Sequence, residues 1–90
     1  MTKSEWIQVK GRLSLCEKSF KGNSQERSTA ILQAVNTVKG NREVLDLLLE
    51  GQTNGLMVAD ILTDFAREPR FAKELDSLLE KIDLTISQLP

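Results

Sequence analysis

The sequence predicts an all-α fold, a compact antiparallel bundle of four or five helices joined by short capped turns. Three observations carry this. Apolar residues recur at steps of three and four, helix-capping residue types stand at the starts of those stretches, and Gly or Pro separates them. The connections between them are too short for the crossovers that a parallel sheet needs.

The first helix is expected over about Ser4 to Phe20, where Trp6, Val9, Leu13, Cys16 and Phe20 form one stripe. Thr2 and Glu5 have the spacing of a capping box, in which hydroxyl and carboxylate each satisfy an orphan N–H. Gly11 in the middle costs about 1 kcal/mol relative to Ala. Ile7/Val9 with Leu13/Leu15 also alternate as two short strands would, but the helix accounts for more of the apolar residues. Lys10-Gly11 is a poor hairpin turn, because Lys is unfavourable where φ must be positive.

The second helix opens at Asn23 or Ser24 as N-cap and carries Arg27 at the edge of a stripe of Ile31, Ala34, Val35 and Val38. Lys39 suits the last turn, and Gly40 is expected in the left-handed cap conformation. Asn41 then caps a short third helix, about Arg42 to Glu50, with Val44, Leu45, Leu47, Leu48 and Leu49 on more than one side. So broad an apolar surface predicts a central position. Gly51 releases the chain, and Thr53 or Asn54 caps a fourth helix with Met57 or Val58, Ile61, Leu62 and Phe65 inward.

Glu68-Pro69 marks the sharpest break, since Pro disfavours α geometry in the residue before it and suits the first helical turn. From Pro69 to Leu89 a fifth helix carries Phe71, Leu75, Leu78 and Ile82 at four, three and four residues, with Leu79 and Ile86 widening the face. Straight and complete, it would be about 32 Å long. That length suggests a helix partly projecting from the bundle or meeting another chain.

Composition removes several chemistries. There is no His, so the ordinary general base near pH 7 and the commonest metal ligand are both missing. One Cys cannot make an internal disulfide or a cysteine cluster. Cys16 falls on the apolar stripe and reads as a small buried hydrophobe, with Lys18 close enough in sequence to lower its thiol pKa should the side chains meet. No Gly-rich phosphate loop or dinucleotide fingerprint is present. The expectation is a non-enzymatic chain without cofactor or metal. No apolar signal-peptide core opens the sequence and no apolar run approaches 18 residues, so the expected compartment is the cytoplasm. The 90 residues fit a single domain, and an amphipathic pattern running to Pro90 leaves room for the front module of a longer protein.

Charge is distributed unevenly. Residues 1–40 hold seven cations and three carboxylates, a net +4, whereas residues 41–90 hold five and ten, a net −5. Either the basic part docks on the acidic part within one fold, or the two offer opposite faces to partners. Asp60 and Asp64 stand four apart on one helix face with Glu68 extending the row, a solvated acidic face or a partner-facing patch.

Asp76-Ser77-Leu78 resembles the attachment triplet of acyl and peptidyl carrier proteins, small helical bundles whose serine bears a phosphopantetheine arm and precedes a recognition helix. Here the triplet lies inside the fifth helix with 12 residues after Leu78. A solvent-facing Asp-Ser step beside two core leucines accounts for the same letters.

The reading that fits best is a protein-binding adaptor, regulatory or scaffold module. Its candidate contact residues are Trp6, Lys10, Arg12 and Lys18 on the basic first helix, Asp60 and Asp64 on the acidic face, and Phe71, Leu75, Leu78 and Ile82 as a self-association seam. The alternative is a helix-turn-helix regulator binding nucleic acid. Neither candidate reading helix has an uninterrupted basic face: the third holds only Arg42, and the fifth mixes Arg70, Lys73 and Lys81 with four carboxylates. A membrane-surface role for the first helix would need the apolar stripe that the core also requires.

Overall fold

The computed structural model describes residues 1–50 and 55–90, apart from the side chains of 55–57, and over these the chain forms five helices. They are α1 (Lys3–Phe20), α2 (Ser24–Gly40), α3 (Arg42–Leu49), α4 (Gly55–Ala66) and α5 (Glu68–Gln88). The radius of gyration, 12.6 Å, matches the ~12 Å of a folded chain this long. Gly51, Thr53 and Asn54 lie outside the described residues, as does the side chain of Met57.

Local chemistry sets the starts. At α1 the Thr2 hydroxyl accepts from the Glu5 N–H and the Glu5 carboxylate accepts from the Thr2 N–H, both at 3.2 Å, completing the capping box. At α2 the N-cap is Asn23, whose Oδ1 accepts from the Glu26 N–H at 2.9 Å. Only Arg67 separates α4 from α5. It is extended at φ −71°, ψ 130°, and α5 begins one residue earlier than expected, at Glu68, which is helical although it precedes Pro69; Pro69 sits in the first turn, where no N–H is needed.

Two turns differ from the sequence expectation. Gly40 ends α2 without a left-handed φ, and the chain leaves through Asn41 in extended geometry, φ −127°, ψ 103°. Asn41 makes no side-chain cap to α3; its Nδ2 donates backwards to the Thr37 carbonyl at 2.7 Å, closing the end of α2. Among the described non-glycine residues, the left-handed position is Glu50, at φ 53°, after α3.

α1 packs antiparallel against α2 on one side and against α5 on the other, while α3 and α4 each pack on both α2 and α5 and close the far side. The core lies between. It takes Trp6, Val9, Leu13 and Cys16 from α1, Ala30, Ala34 and Val38 from α2, Val44 and Leu48 from α3, Phe65 from α4, and Phe71, Leu75, Leu78 and Ile82 from α5. One end is aromatic, with the Phe71 ring 4.8 Å from that of Phe20 and 5.5 Å from that of Phe65.

α5 does not project. Ile86 and Leu89 at its far end pack on the same core, alongside the 18 residues of α1. The four residues read as a self-association seam are buried in the chain's own interior and are not presented to a second copy.

The charge asymmetry is partly resolved within the fold. Among the described residues, three ion pairs join the two parts, each with its cation from residues 1–40 and its carboxylate from residues 41–90. These are the Met1 ammonium with Glu43 (2.5 Å), Lys10 with Asp83, and Arg27 with Glu68 (3.1 Å). All are exposed enough to contribute no more than about 1 kcal/mol each. Their consistent polarity favours the observed arrangement of helices more than it adds stability.

Candidate protein-docking face

Among the described residues the packing leaves one side of α1 without a neighbour. With Trp6, Val9, Leu13 and Cys16 turned inward, a 100° step per residue turns Ile7, Gly11 and Leu15 outward. Ile7 is 52% exposed and Leu15 63%, and they flank Gly11 at four residues on either side. A Cβ built on Gly11 would meet nothing within 4 Å. The glycine therefore relieves no crowding inside the fold, although it weakens the helix. The three residues make a shallow notch with two apolar walls, the shape that receives one side chain of a closely packed helix.

Beside the notch, Leu15 also rims an open cleft of about 410 Å³ between α1 and α2, lined further by Arg12, Cys16, Gln33, Asn36 and Thr37. The Thr37 hydroxyl is engaged by the Gln33 carbonyl at 2.8 Å, which leaves the amides of Gln33 and Asn36 as the cleft's adaptable polar groups. At its floor Cys16 is buried, and burial pushes its thiol pKa above the ordinary value. Such a thiol packs as a hydrophobe and is a poor nucleophile.

The residues predicted from sequence are dispersed. Trp6 is core, as are Phe71, Leu75, Leu78 and Ile82. Lys10 is held by Asp83. Arg12 and Lys18 are exposed and have no ion-pair partner among the described residues, so they remain as free positive charge on either side of the notch. The acidic row is broken up: Asp64 lies 4.0 Å from Arg67, Glu68 is taken by Arg27, and Asp60 alone stays unpaired among the described residues. Ile7, Gly11 and Leu15 do not stand out in the sequence as a face. The available signal was the central glycine with a large aliphatic residue one turn away on each side.

A second cleft, about 350 Å³ between α3, α4 and α5, brings Arg70, Lys73 and Lys81 together with Glu50, Asp64 and Glu74. Its charges cancel, and Lys81 is already committed to Glu50 and to the Leu47 carbonyl. Arg42 is likewise engaged by Asp46 at 3.2 Å, so neither α3 nor α5 offers the basic face that reading nucleic acid requires. Ser77 of the carrier-like triplet stands in the middle of α5, away from any helix start. Among the described residues no group of three or more His, Cys, Asp or Glu side chains is placed to hold a metal ion, and no helix is long and apolar enough to cross a membrane.

No protein-family model, curated protein or solved structure matches the chain.

Proposed function

We propose that the chain is a cytoplasmic protein–protein interaction module, an adaptor or scaffold domain, that receives a helix of its partner on the outer face of α1. The observation that carries this is Gly11: a mid-helix glycine with open space where its side chain would be, between two exposed aliphatic side chains. Such a glycine lets a second backbone approach closely, and Ile7 and Leu15 supply apolar area that the fold does not use. Arg12 and Lys18 at the margins select an acidic partner over a basic one. The cytoplasmic assignment is supported by a lone, buried thiol with no second cysteine.

The test is positional crosslinking in the producing cells. A photoreactive residue in place of Leu15 is expected to give discrete protein adducts that disappear when Gly11→Gln is added. The same residue in place of Ser28, an exposed site on α2, should give none. Absence of adducts from Leu15, or identical adducts from both sites, would remove this reading.

A further inference from the structure

We infer that the cleft between α3, α4 and α5 is a binding site for a small zwitterion, a free α-amino acid with an aliphatic side chain. None of its lining residues comes from α1, so the cleft and the docking face are separate surfaces.

At about 350 Å³ the cleft has room for one such molecule. Its floor is apolar: Leu48 and Leu49 of α3 are buried, and half-buried Ile61 of α4 also lines it. Its wall on α5 is charged. Arg70 and Glu74 stand one turn apart, the spacing at which opposite charges commonly pair, yet neither has an ion-pair partner among the described residues. Lys73 is also without one, and on the α4 side Asp64 is held only loosely, 4.0 Å from Arg67. Glu74 is half-buried, so its carboxylate has given up part of its water without gaining a counter-charge.

The mixture of signs selects the ligand. A phosphate would meet Arg70 and Lys73 but also the Glu74 and Asp64 carboxylates in the same walls, which repel it. A metal ion is no better served, since among the described residues no three acidic side chains are placed to hold one. A neutral apolar molecule would desolvate charges of both signs and return nothing to them. An α-amino acid carries ammonium and carboxylate on one carbon. Side chains four apart on a helix start about 6 Å from each other at Cβ, so Arg70 and Glu74 can close on the two groups from either side. The guanidinium takes the carboxylate in a bidentate pair with Lys73 in support, and Glu74 with Asp64 takes the ammonium. The aliphatic side chain then rests on Leu48, Leu49 and Ile61. Lys81 and Glu50 neutralise each other at the far end of the cleft and take no part.

Titration of isotope-labelled protein with L-leucine, followed through the amide resonances, tests this. The shifts should saturate with a Kd of about 1–10 mM and be confined to the end of α3, to α4 and to the first half of α5. Glycine lacks the side chain, N-acetyl-leucine the ammonium and leucinamide the carboxylate, and each should bind at least about tenfold more weakly. These analogues probe the contacts in the unaltered chain. Arg70→Gln and Glu74→Gln should each weaken leucine binding by about tenfold or more, with the helical circular-dichroism spectrum retained. Lys39→Gln, which removes an exposed charge on α2, should leave the Kd unchanged. No saturable shift up to about 50 mM leucine, shifts centred elsewhere, an analogue that binds as tightly as leucine, or a Kd that ignores both α5 variants overturns the inference.

Discussion

The carboxyl of Glu17 on α1 meets that of Asp76 on α5 across the helix interface, a contact between two acids, whereas the ion pairs between helices among the described residues, such as Lys10–Asp83 and Arg27–Glu68, join opposite signs. One Glu17 oxygen has no accessible surface and no hydrogen-bond partner among the described residues. The hydrogen bond to Asp76 is the main reason that the Glu17 pKa lies above the ordinary carboxylate value. Burial and the Asp76 charge push the same way, and Lys21 opposes them.

A pKa raised on folding means that the folded chain binds this proton more tightly. The contact therefore favours folding at low pH and loses that contribution as pH rises from the ordinary carboxylate value through the raised one. Glu5, held low by its hydrogen bonds to Thr2, and Glu50, held low by Lys81, act in the opposite direction and lose their contributions in acid. Asp76→Asn supplies an amide donor and removes the repulsion. It should raise stability near pH 7 by about 0.5 kcal/mol, the size of an exposed charge term. The gain should shrink toward about pH 4, as read from urea midpoints across that range.

Two glycines should respond differently to alanine. Gly11→Ala meets no neighbour and gains helix propensity, so stability should rise by about 1 kcal/mol, or about 4–8 °C in Tm. At Gly22 a Cβ would fall 1.8 Å from Glu26 Oε2 and 3.1 Å from Glu26 Cβ. Glu26 would then have to swing away from Asn23, whose amide donates to it at 3.2 Å. Gly22→Ala should therefore show little or no gain. Thermal melts of the two variants side by side check the contrast.

Phe71 joins the aromatic end of the core, so Phe71→Ala should cost about 3–5 kcal/mol. That is a large part of the roughly 5–13 kcal/mol available to a chain of this size. Leu78→Asp would put an unpaired carboxylate at a buried position and should abolish the cooperative melt. Leu84→Asp, two turns along on the outer face, should leave the melt nearly unchanged.

Cys16 should resist modification. With its thiol buried and its pKa raised, reaction with a disulfide reagent at about pH 8 should be at least tenfold slower in the native protein than in urea. Native reactivity equal to that of the unfolded chain would mean that α1 and α2 separate readily.

Much of the architecture was legible because helix chemistry is local. The Thr2–Glu5 capping box, the Trp6–Cys16 stripe and, to within one residue, the break before Pro69 each depend on residues within three turns of one another. Use of the faces depends on distant partners. In the sequence the Phe71–Ile82 stripe reads as surplus because its helix is longer than its neighbours, whereas α1, α3 and α4 together cover it. Ala30 is hard to place from sequence because a small residue gives a weak apolar signal, yet it is buried in α2, as is Ala34. Gly40 and Asn41 follow ordinary cap statistics poorly because Asn41 has a better acceptor behind it, the Thr37 carbonyl, than ahead. In the sequence Gly11 reads as a local weakness, and only the fold places open space over it.

The inward and outward residues of α1 are separate sets: Trp6, Val9, Leu13 and Cys16 on one side, Ile7, Gly11 and Leu15 on the other. Substitutions at the outer set therefore reshape the surface of α1, residue by residue, while the hydrophobic interior stays untouched. The chemistry of that surface is thereby uncoupled from the instructions for folding.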